Sequence, residues 1–251
     1  MDLRMASTGF NFTGRVPVDK DLTVRGMRIF WAATFLLIFF IVALGSWLAY
    51  REQRRAANRV VCFGDSLSAC GGYGGRYSDY LAEALPECEV INRGKGGDTL
   101  EEGRKRFKSE VLDLNPRPKV VVLELGANDF LKAIRPIGAL REDLEQLVCL
   151  AQDRGIGVVI AGVFGDCVDA QGEVRPKEYK EGNPEFGKQI LEMERSIAKS
   201  HACMHIENIQ ADLHRERHWE DPRHPNAEGN KFVAQRILPA LKKLLAERRA
   251  P

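Results

Sequence analysis

Residues 60–75 read VVCFGDSLSACGGYGG. Four apolar residues in succession, two of them valines, have the pattern of a strand covered on both faces. Two turn formers, Asp65 and Ser66, follow at once, and a glycine-rich loop comes after them. A buried strand ending in a polar turn is how a parallel α/β sheet starts. Ligand-binding groups in such sheets collect at the carboxyl ends of the strands, which is where Ser66 falls. The question is whether Ser66 only turns the chain or attacks a substrate.

Downstream, short apolar runs rich in Val and Ile predict further strands at 88–92, 120–125, 158–163 and 203–206. Helical patterns lie between them near 75–85, 99–112, 137–154 and 184–200, with a last one near 227–247. In the 137–154 segment Leu140, Leu144, Leu147 and Ala151 share one face, and Gly155 marks the stop. Asn226, after Pro225, is the expected N-cap of the last helix, with Phe232, Val233, Ile237, Leu241 and Leu244 on its inner side. Alternating strands and helices imply a parallel sheet with helices on both faces.

The chain has 251 residues and a formal net charge of +2. Residues 1–28 supply all of that charge, so the remainder is balanced and has no electrostatic footprint for nucleic acid. Residues 29–50, IFWAATFLLIFFIVALGSWLAY, contain no charge and, as a helix, span roughly 33 Å, enough to cross a bilayer core. Trp31 near one end, and Trp47 and Tyr50 near the other, sit where interfacial aromatics belong. The division expected is a tail at 1–28, a transmembrane anchor at 29–50, a charged solvated linker at 51–58 and a catalytic-type domain at 59–251. An uncleaved single-pass anchor, with the N-terminus inside and the domain outside the cytoplasm, is the orientation expected. Six cysteines, Cys62, Cys70, Cys88, Cys149, Cys167 and Cys203, lack CxxC spacing and leave the compartment open.

Four loops carry polar groups able to converge: Gly64-Asp65-Ser66-Leu67, Asn92 to Thr99 (NRGKGGDT), Gly126 to Phe130 (GANDF) and Asp221 to Asn226 (DPRHPN). Serine needs a base, and imidazole is the usual one near neutral pH. A carboxylate in turn fixes the imidazole's tautomer and steadies its charged form. Asp221 and His224, three residues apart, offer such a pair on one turn. Acyl transfer also needs donors for a developing oxyanion, and Gly97 N–H, the Asn128 amide and Ser66 N–H supply them. Asp65 and Asp129 read as loop-ordering residues, and Asn128 has an alternative use as the cap of a helix starting near Phe130. HRERHWED (residues 214–221) lacks the HExxH pattern and reads as an exposed polar helix carrying His214 and His218, while His201 and His205 read as structural. No GxSxG elbow occurs in the chain.

With Ser66 in FGDSLS, Gly97 in GGDT, Asn128 in GAND, and Asp221 with His224 in DPRHPN, the chain resembles the GDSL-type or SGNH hydrolases over about residues 59–248. The resemblance implies a three-layer α/β/α, flavodoxin-like domain that hydrolyses an ester or thioester. Ser66 would be the nucleophile, His224 the base and Asp221 its orienting partner. Ser66, Gly97 and Asn128 would form the oxyanion hole, with no metal or cofactor. The pattern is most similar to the lysophospholipase, thioesterase and arylesterase branch, so a small-molecule or lipid ester is the substrate expected. Lys95 and the polar stretch Phe164 to Pro184 depart from what family members more often show. Two other readings use the same residues. One is deacetylation or acyl transfer on an acylated cell-envelope glycan; the other is a non-catalytic binding module, against which the intact five-residue set counts.

Overall fold

The computed structural model describes residues 20–163 and 184–248, apart from 212 and 215. The expectations for the N-terminal tail up to residue 19, for Cys167 and for the polar run up to residue 183 lie outside the described residues.

The chain divides into two units, residues 1–50 and 51–251. The first is built on helix α1, Lys20–Ala57, which runs on into the second unit. Its stretch from Met27 onward has a mean hydropathy of 2.4, and Phe35, Leu36, Phe39 and Phe40 stand exposed along it. A core helix of a water-soluble domain would bury these side chains. By length and composition this helix is able to cross a membrane, as an anchor or a signal sequence does.

In the second unit the strands are β1 Val60–Gly64, β2 Val90–Gly94, β3 Val120–Glu124, β4 Gly157–Ala161 and β5 Met204–Ile206. They form one parallel sheet in the order β2-β1-β3-β4-β5. This is the flavodoxin-like, doubly wound order, in which the direction of winding reverses between β1 and β3. The central strands β1, β3 and β4 are wholly buried, as their unbroken apolar runs require. β2 and β5 lie at the edges and are only half-buried, which is why their sequences carry Asn92, Arg93 and His205.

Helices α3 Tyr77–Ala84 and α8 Ala227–Glu247 pack together, and α4 Leu100–Phe107, α6 Ile137–Gln152 and α7 Pro184–Ser200 form a second group. In α6 the residues Leu140, Leu144, Leu147 and Ala151 are buried on one face, as their spacing indicates. Asn226 caps α8, accepting the Gly229 N–H at 2.9 Å. Of two short helices, α2 Ser66–Ala69 escaped the sequence reading, and α5 Ala127–Lys132 starts three residues before Phe130, where the alternative use of Asn128 put it. Neither is long enough to show a hydrophobic period.

Three expectations need correction. β2 runs two residues past Asn92, so Arg93 and Gly94 belong to the strand and not to the loop. The basic run 51–59 is not a solvated linker throughout: α1 continues to Ala57, Arg55 O accepts Glu89 N–H at 3.1 Å, and Arg59 is buried. Arg59 bonds Glu89 at 2.7 Å and the Pro116 carbonyl at 2.5 Å. Finally, the described residues of HRERHWED form turns. His218 is buried there, packing against Phe232 with 4.6 Å between ring centroids and accepting the His214 N–H at 2.6 Å.

Candidate active site

Ser66 is the first residue of α2, two positions beyond the end of β1 and directly after the N-cap Asp65. Asp65 Oδ1 accepts the Leu67 N–H at 2.9 Å, which starts the helix and leaves Ser66 half-buried at its N-terminus. The turn is tight. A Cβ on Gly64 would lie 2.2 Å from Ser68 Oγ and 2.4 Å from Glu124 O, so only glycine lets β1, β3 and α2 meet this closely.

The next strand brings in Gly97. Its φ of 83° belongs to the left-handed region, which glycine enters without strain, and the residue is exposed. The loop passes close to the serine: a Cβ on neighbouring Gly96 would stand 3.8 Å from Ser66 Cβ. Thr99 closes the loop by capping α4, with Glu102 Oε2 accepting the Thr99 N–H at 2.8 Å.

Asn128 enters from the third strand. The cap of α5 is Gly126 and not Asn128, whose side chain points back across the strand ends. Its amide donates to Asp65 Oδ2 at 2.9 Å and to Asp98 O at 3.0 Å. Both amide protons are therefore engaged. Next to it, Asp129 Oδ2 accepts the Leu100 N–H at 2.9 Å, and Lys132 reaches Gly97 O at 2.9 Å. The loops after β1, β2 and β3 are thus tied directly to one another, and Ser66, Gly97 and Asn128 share one end of the sheet.

Asp221 and His224 come from the loop before α8. His224 Nδ1 lies 2.7 Å from Asp221 Oδ2, and Asp221 Oδ1 accepts the backbone N–H groups of Arg223 at 2.7 Å and His224 at 2.9 Å. Burial works to raise the Asp221 carboxyl, but these bonds outweigh it and hold the group below the ordinary carboxylate value. The loop is closed on itself by Glu220 N–H to His224 O at 2.9 Å and Asn226 N–H to His218 O at 2.9 Å. Among the described residues neither Ser66 Oγ nor His224 Nε2 has a hydrogen-bond partner, so the direct bond between them is not formed in this structure. His224 is nevertheless close enough to Asp65 to lower its pKa.

Residues that the sequence reading missed hold these loops. Asn230, wholly buried on α8, donates to Gly75 O at 3.0 Å, Cys70 O at 3.2 Å and Pro225 O at 3.4 Å. It thereby links the loop after Ser66 to the loop of His224. Its only sequence signal is its place one helical turn after Asn226, on the inward face. Beneath α2, Ser68 Oγ donates to Glu124 Oε2 at 2.9 Å and lies 2.8 Å from Tyr77 Oη. Burial, reinforced by Asp65, raises Glu124 well above the ordinary carboxylate value. Burial also pushes Asp65 up to about 7, although the Leu67 N–H, the His224 charge and the Asn128 amide pull it down. Two buried carboxylates beside α2 are a costly arrangement unless a proton is retained there, and burial raises both.

Known proteins resemble this chain in sequence and in fold. An arylesterase of Vibrio mimicus is 32% identical over 133 residues, which cover 50% of this chain and 60% of the relative. Esterase TesA of Pseudomonas aeruginosa is 29% identical over 122 residues, covering 46% and 59%. The chain thus spans about three-fifths of the length of these relatives. Among solved structures, one of TesA superimposes with a TM-score of 0.62 at 20% identity, covering 74% of this chain and 99% of that one. The psychrotrophic esterase EstA of Pseudoalteromonas sp. does so with a TM-score of 0.61 at 19% identity, covering 75% and 99%. At such identities the superpositions speak for the fold. The family itself rests on a match over residues 62–232, from within β1 to within α8: the chain belongs to the GDSL-like Lipase/Acylhydrolase family.

Proposed function

We propose that the protein is a membrane-anchored serine esterase that cleaves carboxylic ester or thioester bonds through an acyl-enzyme. The observation that carries this reading is the 2.7 Å contact of His224 Nδ1 with Asp221 Oδ2, which leaves Nε2 without a partner among the described residues and able to accept a proton. Ser66 Oγ is equally uncommitted, and apo sites of this kind often close their catalytic bond only on substrate binding.

In this reading Ser66 Oγ attacks the carbonyl carbon while His224 Nε2 takes the hydroxyl proton. The lowered pKa of Asp221 keeps it ionised beside the imidazolium. The oxyanion accepts from the Ser66 and Gly97 N–H groups and from the Asn128 amide, which turns or shares one proton now given to the Asp98 carbonyl. The imidazolium then protonates the leaving alcohol or thiol. Water repeats the cycle in the second half-reaction, and Ser66 regains its proton.

The apolar part of α1 is the anchor in this account, with the domain outside the cytoplasm. Protection of the domain from protease in intact spheroplasts would contradict that side. The ester itself is tested with a panel of aryl, acyl-thioester, lysophospholipid and acetylated-glycan substrates. The family and the arylesterase relative favour turnover of short aryl esters, and release from the glycan alone would overturn the lipid and aryl reading.

A further inference from the structure

We infer that Arg106, on the second turn of α4 and more than 30 residues from any candidate catalytic residue except Gly97 and Asn128, is a positioning residue that sets the width of the oxyanion hole. This rests on the serine-esterase reading above. The guanidinium is 11% exposed and uses all three of its nitrogens. Nε donates to Asp98 Oδ2 at 2.5 Å, Nη1 to Arg93 O at 2.9 Å and Glu110 Oε2 at 2.7 Å, and Nη2 to Gly64 O at 2.8 Å. Its flat face lies 4.0 Å above the Phe63 ring.

Three of these four acceptors are adjacent to a catalytic element. Gly64 precedes the Asp65–Ser66 turn, Arg93 is the last residue but one of β2, just before the Gly97 loop, and Asp98 follows Gly97 directly. The two groups that hold the Asn128 amide, Asp65 Oδ2 and Asp98 O, belong to the same two segments. One rigid, planar cation thus fixes the distance between the backbone N–H of Ser66 and that of Gly97, and with them the seat of Asn128. A flexible ammonium reaches only one or two of these acceptors and cannot lie flat on Phe63. Because the donors must stand where the transition-state oxygen will be, a displacement near 1 Å costs on the order of 100-fold in rate. Ground-state binding of the ester, which does not use these donors fully, changes little.

The test uses the full chain in detergent, with p-nitrophenyl butyrate turnover, fluorophosphonate labelling and thermal unfolding measured together. Arg106→Ala is expected to lower kcat by about 100-fold and the labelling rate in parallel, with KM within about threefold and unfolding still cooperative. Arg106→Lys stays low, whereas methylguanidinium added to Arg106→Ala recovers about tenfold of kcat, a gain that a purely structural role does not give. A folded Arg106→Ala with kcat within about threefold of the parent overturns the inference. If Arg106→Ala does not fold, Asp98→Asn decides: it removes the charged Nε partner and is expected to lower kcat about tenfold, and an unchanged kcat overturns the inference. Activity persisting in Ser66→Ala would instead defeat the underlying esterase reading, which separates the two failures.

Discussion

Asp65 Oδ2 and Asn128 Nδ2 meet at 2.9 Å, joining the turn after the first strand to the helix after the third. The contact makes Asn128 more than a donor waiting for substrate, because its second proton is also engaged, by Asp98 O. Replacing Asn128 by Ala removes a donor and unties two loops together. The expected outcome is a fall of about 100- to 1000-fold in kcat with little change in KM. Steady-state kinetics on a p-nitrophenyl ester check it, and a rise in KM alone would assign Asn128 to binding.

The pairing of Asp221 with His224 leads to a separate expectation. Asp221→Asn keeps the size of the side chain but loses the charge that steadies an imidazolium. Turnover at neutral pH should drop by roughly 100-fold or more. Wild-type kcat in this variant would mean that His224 is not held for catalysis by Asp221.

Asn230 makes a claim on stability. It is wholly buried and serves three backbone carbonyls on two loops. Asn230→Ala leaves those acceptors unmet, which costs about 1–3 kcal/mol. Urea denaturation measures the loss, and a variant as stable as the parent would show that water replaces the amide without penalty.

The buried carboxylates imply a pH dependence of definite sign. The folded-state pKa of Asp65, about 7, lies above its reference value of 3.8, and Glu124 is raised as well. Between those pH values the folded chain holds protons that the unfolded chain has released. The stability these groups allow is full below about pH 4 and declines as pH rises toward 7 and beyond. Glu124→Gln keeps an acceptor for Ser68 and cannot ionise. It should lose less stability than the parent between pH 5 and pH 8, as followed by chemical denaturation at each pH. Parallel losses in the two proteins would contradict the assignment.

Much of this was legible in the sequence because it depends on local rules. Unbroken apolar runs gave β1, β3 and β4, and the Asn226 cap and the Leu140 face fixed α8 and α6. What stayed hidden depends on contacts between distant segments. Nothing near Arg106 indicates that it reaches Gly64, and nothing near Asn230 points to Gly75. The turns around His218 were misread for the same reason, since charge density suggested a solvated helix while Phe232 draws the ring inward. Glu124 left a trace, a lone carboxylate ending the run VVVLE, but its partner Ser68 is fixed only by the fold.

The most direct measurement is on the Ser66 hydroxyl. Fluorophosphonate treatment followed by peptide mass spectrometry should find one phosphonyl group, on Ser66, with ester turnover lost in proportion to labelling. Ser66→Ala should neither label nor turn over ester while unfolding as the parent does. Turnover at the parent rate in a folded Ser66→Ala would contradict the account.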